Sequence, residues 1–111
     1  MVMKELLKEF HSHIVFWKKK SPEQIESFLK FLEAVEKPGA LTTREKELIA
    51  VALAVKAHCK WCISFHVKQA LEAGAKPEEI REAAWVAVLM DGGPGLAYAQ
   101  LVEEALKEYT S

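Results

Sequence analysis

Both cysteines of this 111-residue chain lie in one stretch, Ala57-His58-Cys59-Lys60-Trp61-Cys62-Ile63-Ser64-Phe65-His66. Positions three and four apart on a helix share a face. On a helix, Cys59, Cys62 and His66 therefore point the same way. In a Cys-x-x-Cys pair one sulfur can attack and the other can resolve the product as a disulfide. A histidine one turn beyond Cys62 can take the thiol proton, the nucleophile-plus-base arrangement of covalent catalysis. A cysteine at a helix start also meets the positive end of the dipole, which favours its thiolate. These residues suit thiol redox chemistry.

Other chemistries fit less well. Cys59, Cys62 and His66 are zinc-type ligands, and Glu47 could be a fourth. Structural zinc sites usually show a second Cys/His pair, which this chain lacks. Ile63 stands where a c-type haem motif needs His. Two buried structural cysteines are the plainer alternative, since free cysteine is often buried. No cofactor and no metal are expected.

Composition narrows the class. Half of the residues are hydrophobic, which favours a globular chain. A formal net charge of -1 gives no electrostatic case for nucleic acid. No apolar run approaches the roughly 20 residues needed to cross a bilayer, so no membrane partner is expected. No targeting segment is visible at Met1-Val2-Met3-Lys4-Glu5, and a cytoplasmic location is expected. In a reducing compartment a merely structural disulfide is unusual. Asp91 is the only Asp, Arg44 and Arg81 are the only Arg, and Asn is absent. Such Lys/Glu enrichment matches heat-adapted organisms, and equally an ordinary Lys/Glu-rich helix surface.

The elements that must position the cysteines read as helical throughout. Leu6, Leu7, Phe10, Ile14 and Trp17 mark one face of a first helix, closed by Lys18-Lys19-Lys20. Ser21 reads as a cap for the second, with Pro22 in its first turn and Gln24 at the capping-box position. Its apolar face is Ile25, Phe28, Leu29 and Leu32, and Lys37-Pro38-Gly39 ends it. Thr42-Thr43-Arg44-Glu45 forms another capping box. The third helix is apolar almost all round, through Leu48, Ile49, Val51, Ala52, Leu53 and Val55, so a central buried position is expected. A break is expected near Ala57-His58, then a helix from about Cys59 to Ala73 with Gly74 as a left-handed cap. Pro77 opens the next helix, and Asp91-Gly92-Gly93-Pro94-Gly95 interrupts the chain before a last helix to about Tyr109. The expected architecture is all-α, a single domain over residues 1–111, a bundle of about six helices. Two helices look apolar nearly all round, more than one small bundle can cover, which predicts a homo-oligomer.

Leu41 to Ala73 resembles the carboxymuconolactone decarboxylase superfamily, and more closely its alkylhydroperoxidase AhpD-like branch. That branch carries a glutamate, eleven intervening residues, Cys-x-x-Cys, three residues and a histidine. Glu47, Cys59, Cys62 and His66 match all four positions. Leu48-Ile49-Ala50-Val51-Ala52 and Ala73-Gly74 also resemble it, and the likeness continues weakly beyond Pro77. The resemblance implies an all-α oligomer, with a hexamer as first guess. It implies reduction of hydroperoxides or disulfides with electrons from a partner thiol protein. It makes Cys62 the peroxidatic thiol, Cys59 the resolving one, and Glu47 and His66 a proton relay. The best-studied branch has a second histidine just before the second cysteine, where this chain has Trp61. His58 could substitute only from a different face. Trp61 could instead wall the thiol site.

Two alternatives to an enzyme of this kind remain. One is a redox switch or scaffold without turnover. The other is a decarboxylase-type lyase of the same superfamily, whose chemistry does not call for a dithiol. The break at Ala57-His58 carries a further expectation. A straight helix would hold Glu47 and Cys59 about 18 Å apart, so the chain must fold back to bring Glu47 to the thiols.

Overall fold

A computed structural model describes residues 2–111. Six helices follow one another: α1 (Val2–Lys20), α2 (Pro22–Glu36), α3 (Thr43–Lys56), α4 (Lys60–Glu72), α5 (Pro77–Asp91) and α6 (Gly93–Thr110). There is no strand among the described residues. The all-α reading holds. Among the described residues, no helix is long and apolar enough to cross a membrane.

The caps explain most boundaries. The Glu45 N–H donates to Thr42 Oγ1 at 3.1 Å, and the Thr42 N–H donates to Glu45 Oε1 at 2.8 Å. This is the reciprocal box expected at the start of α3. Gly74 takes a φ of +93° just past α4, the left-handed conformation a helix end favours in glycine. The N-terminal turn of α1 is closed from afar: Glu108 of α6 accepts from the Met3 and Lys4 N–H groups at 3.1 and 2.9 Å.

Ser21 departs from its expected role. It precedes α2 but makes no side-chain cap bond, so the Gln24 box does not form. Its N–H is held by the Trp17 carbonyl at 2.8 Å, which makes it the last link of α1. That single-residue joint fixes its backbone at φ −143° and ψ 62°, away from the usual capping conformation.

The core lies where α3, α4, α5 and α6 meet. Val51, Val55, Ile63, Val67, Ile80 and Leu106 fill it. Burying side chains of this size stabilises the fold by about 1.5–3 kcal/mol each. α1 lays Met3 and Leu7 over this core. The Ser64 hydroxyl donates to the Met3 carbonyl at 2.5 Å and meets the Tyr109 hydroxyl at 2.7 Å, tying α1 to α4 and α6.

α3 is not covered all round. It buries Glu47, Val51, Ala54 and Val55, while Ile49 and Leu53 are exposed. A helix one residue-width apolar beyond its neighbours' reach leaves that surplus outside. α2 buries no residue at all. Its Phe28 and Phe31 are exposed, as are Trp85, Leu89 and Met90 of α5.

Candidate active site

α3 and α4 form a helical hairpin that folds Glu47 back toward the cysteine helix. The reversal takes three residues. Ala57 caps α3 in a right-handed conformation, His58 turns left-handed at φ 56°, and Cys59 is extended. The expected break is at this point. Cys59 becomes the N-cap of α4, and its Sγ accepts the Cys62 N–H at 3.2 Å. The two sulfurs are joined in a disulfide, with their Cα atoms 5.2 Å apart.

His66, one turn further along α4, carries the second half of the site. Its Nδ1 lies 2.7 Å from Glu47 Oε1 on α3. Glu47 is only 2% exposed, so this carboxylate has little solvent to stabilise it. Burial pushes the Glu47 carboxyl up. Hydrogen bonds with His66 and Glu36 outweigh burial and hold it below the usual carboxylate value. With Nδ1–H given to Glu47, Nε2 is the nitrogen left to act as base. His66 and Cys62 line one shallow depression, together with Ala50, Leu53, Ala54 and Ala57. Cys59 is not part of that lining.

The sequence reading missed Glu36. This last residue of α2 places a carboxyl beside the pair, and the ligating atoms of Glu36, Glu47 and His66 all lie within 4.8 Å of one another. Its Oε2 is sealed from solvent with no protein donor facing it. Burial, a hydrogen bond with Glu47 and the Glu47 charge push the Glu36 carboxyl up to about 7. A proton on Glu36, donated to the Glu47 carboxylate, satisfies both groups. A signal for Glu36 was present: Ile25, Leu29 and Leu32 run along one face of α2, and Glu36 occupies the next position of that stripe. A carboxyl on an otherwise apolar stripe needs a partner.

Glu36, Glu47 and His66 are also the one group among the described residues with the spacing of a metal site. The ligand set considered from sequence was different, and its two sulfurs are bonded to each other here.

Two neighbours of the cysteines turn away from this chemistry. The Trp61 indole N–H donates to Glu9 Oε1 of α1 at 2.9 Å, and its ring lies 6.4 Å from that of His13. Trp61 packs toward α1 and does not line the Cys62–His66 depression. His58 Nε2 lies 2.6 Å from Asp91 Oδ2, so this ring is engaged at the α5–α6 corner and does not line the Cys62–His66 depression.

Comparison with known proteins places the chain among relatives of the same fold. "Uncharacterized protein 4 in cox locus" of Paracoccus denitrificans is 45% identical over 83 residues, 75% of each chain. An uncharacterized protein of Cupriavidus necator is 41% identical over 78 residues, 70% of this chain and 69% of its own. A carboxymuconolactone decarboxylase family protein from Legionella pneumophila superposes with a TM-score of 0.94 at 37% identity, over 98% of this chain and 97% of the other. A carboxymuconolactone decarboxylase family protein from Thermotoga maritima shares the fold, with a TM-score of 0.84 at 24% identity over 94% and 89% of the two chains. Residues 22–104 match the carboxymuconolactone decarboxylase family, and the chain belongs to that family.

Proposed function

We propose that this protein is an AhpD-like thiol peroxidase or disulfide reductase, with Cys62 attacking, Cys59 resolving, and His66 and Glu47 moving the proton. The observation that carries the reading is the Cys59–Cys62 disulfide at the start of the same helix that presents His66 to a buried carboxylate. A dithiol pair alone is a weaker sign than a dithiol pair with an oriented base.

The chemistry balances in three steps. His66 takes the Cys62 thiol proton, and Glu47 stabilises the resulting imidazolium. The Cys62 thiolate attacks the distal oxygen of a hydroperoxide; the O–O bond breaks, Cys62 becomes a sulfenic acid, and the alkoxide takes the proton back to leave as an alcohol. The Cys59 thiol then displaces water from the sulfenic acid to give the disulfide. A partner thiol protein returns two electrons by exchange. A disulfide substrate enters by the same thiolate and skips the sulfenic stage. Nothing in lyase chemistry calls for the dithiol.

The same reading makes the protein a homo-oligomer, with a hexamer as first guess. The exposed Ile49, Leu53, Trp85 and Leu89 supply the apolar surface such an assembly would cover.

The test is peroxide consumption by purified protein with a dithiol reductant in excess. Repeated turnover supports the enzyme. Oxidation to one disulfide per chain without turnover would make the protein a switch. No reaction of either cysteine would defeat the redox reading altogether.

A further inference from the structure

We infer that His58, Asp91 and Tyr98 form a clamp that holds Cys59 against Cys62 in the reduced protein, and so governs the resolving step. This rests on the dithiol–disulfide reading of the pair.

The left-handed conformation of His58 is disfavoured for any residue with a Cβ. Glycine would adopt it freely. Backbone bonds hold part of the turn, the His58 and Cys59 N–H groups donating to the Val55 and Ala54 carbonyls at 3.0 and 3.2 Å, and the His58 side chain adds to them. Nε2 bonds Asp91 Oδ2 at 2.6 Å, and the ring stacks on Tyr98 with centroids 4.5 Å apart and planes 7° apart. Asp91 is well placed to receive it. Its side chain is 11% exposed, and the Lys56 ammonium lies 3.4 Å from its other oxygen. A Cβ at Gly95 would fall 2.9 Å from Asp91 Cβ, so the first turn of α6 leaves room for that side chain. Side chains of two helices, α5 and α6, thus meet on the residue immediately before Cys59.

The disulfide holds Cys59 in place by itself. In the dithiol and sulfenic forms that bond is absent, and the clamp reinforces the backbone bonds that close the reversal. The resolving rate depends on the effective concentration of the Cys59 thiol at the Cys62 sulfenic acid. Loosening the turn lowers that concentration. The sulfenic acid then survives to meet a second hydroperoxide, which oxidises it to sulfinic acid. The disulfide also becomes less favourable relative to the dithiol. A tenfold loss raises the reduction potential by about 30 mV for this two-electron couple.

The experiment compares Asp91→Ala, Tyr98→Leu and His58→Gly with the parent chain. Potentials are read by thiol alkylation and mass spectrometry in dithiol redox buffers, and sulfinic acid is counted after a peroxide pulse. About tenfold more sulfinic acid and a potential higher by about 30 mV are expected for Asp91→Ala and Tyr98→Leu. His58→Gly can still adopt the left-handed turn but loses the clamp, so it should show the same rise in sulfinic acid and potential; adding Asp91→Ala to it should change nothing further. Lys56→Ala, which leaves His58 bound, should match the parent. Asp91→Asn preserves an acceptor for His58 and serves if Asp91→Ala does not fold; it should fall between the two. Helical variants with parental potential and parental sulfinic yield would overturn the clamp. A parent pair that cannot be reduced and reoxidised would remove the underlying redox reading instead.

Discussion

His66 Nδ1 and Glu47 Oε1 lie 2.7 Å apart across the α3–α4 hairpin, though 19 residues separate them in the chain. The pair fixes which imidazole nitrogen is free. It also places a buried negative charge where an imidazolium would form. In the proposed reaction, a base oriented this way is pre-organised before substrate arrives.

His66→Ala should therefore slow thiolate formation and peroxide attack most near neutral pH. Loss of a general base costs about 10²–10⁴-fold in rate. Raising the pH should recover part of the loss, because the Cys62 thiol then ionises unaided. Glu47→Gln should show a smaller defect of the same form, since the ring keeps a hydrogen-bond partner and loses its counter-charge. Stopped-flow peroxide consumption from pH 6 to 9.5 reads both. An equal loss at every pH would assign the pair to folding alone.

Glu36 gives a pH prediction with a definite sign. Its carboxyl is pushed up to about 7 from an ordinary 4.5, so the folded protein holds this proton more tightly than the unfolded chain. The contribution is fully present below about pH 4.5 and is lost as pH rises through about 7. Glu47 works in the opposite sense, its lowered value favouring the fold as pH rises. Glu36→Gln mimics the protonated acid. Thermal melts should show its stability gaining on the parent between pH 5 and pH 8. A constant difference across that range would show that Glu36 does not hold the proton.

Much of this arrangement was legible in the chain. Thr42 with Glu45, Gly74, and the glycines after Asp91 each carry a local signal, and local signals need only neighbours in sequence. The motif residues Glu47, Cys59, Cys62 and His66 share a spacing, and the structure draws them to one hairpin. The pairings of Glu36 with Glu47 and of Asp91 with His58 were not legible. The partners in each lie on different elements, and the distances that matter appear only after packing. Ser21 misled because its side chain fits a cap while its backbone belongs to α1. Ile49 and Leu53 misled differently. An apolar residue reads as buried, whatever chain buries it.

That surface leads to the third prediction. Ile49 and Leu53 of α3 and Trp85 and Leu89 of α5 are exposed in the single chain, Leu89 by 80%. Contiguous apolar surface beyond a few hundred Å² marks an interaction site. Light scattering at micromolar concentration should report an oligomer. Leu89→Lys should reduce its size or weaken it without loss of helical signal. A monomeric parent chain would defeat the proposal.

The last prediction decides which thiol attacks. Two effects compete. Cys59 is the N-cap of α4, and its sulfur accepts the Cys62 N–H, both of which favour a thiolate there. The dipole is worth about 0.3–1 kcal/mol at such sites. Cys62 instead shares its depression with His66, one turn away on the same face, whereas Cys59 lies two turns from that ring. A close imidazolium can lower a cysteine pKa by several units, which outweighs the dipole. Access points the same way, because substrate entering the depression meets Cys62. Cys62→Ser should therefore abolish peroxide consumption. Cys59→Ser should support a single turnover and leave a sulfenic acid on Cys62, trapped with a dimedone-type reagent. In the Cys62→Ser chain the Cys59 sulfur should stay a thiol under the same peroxide pulse. A sulfenic acid on Cys59 in that variant would reverse the assignment. His66 would then lose its role as the base of the attacking thiol, and the N-cap would become the feature that activates the pair.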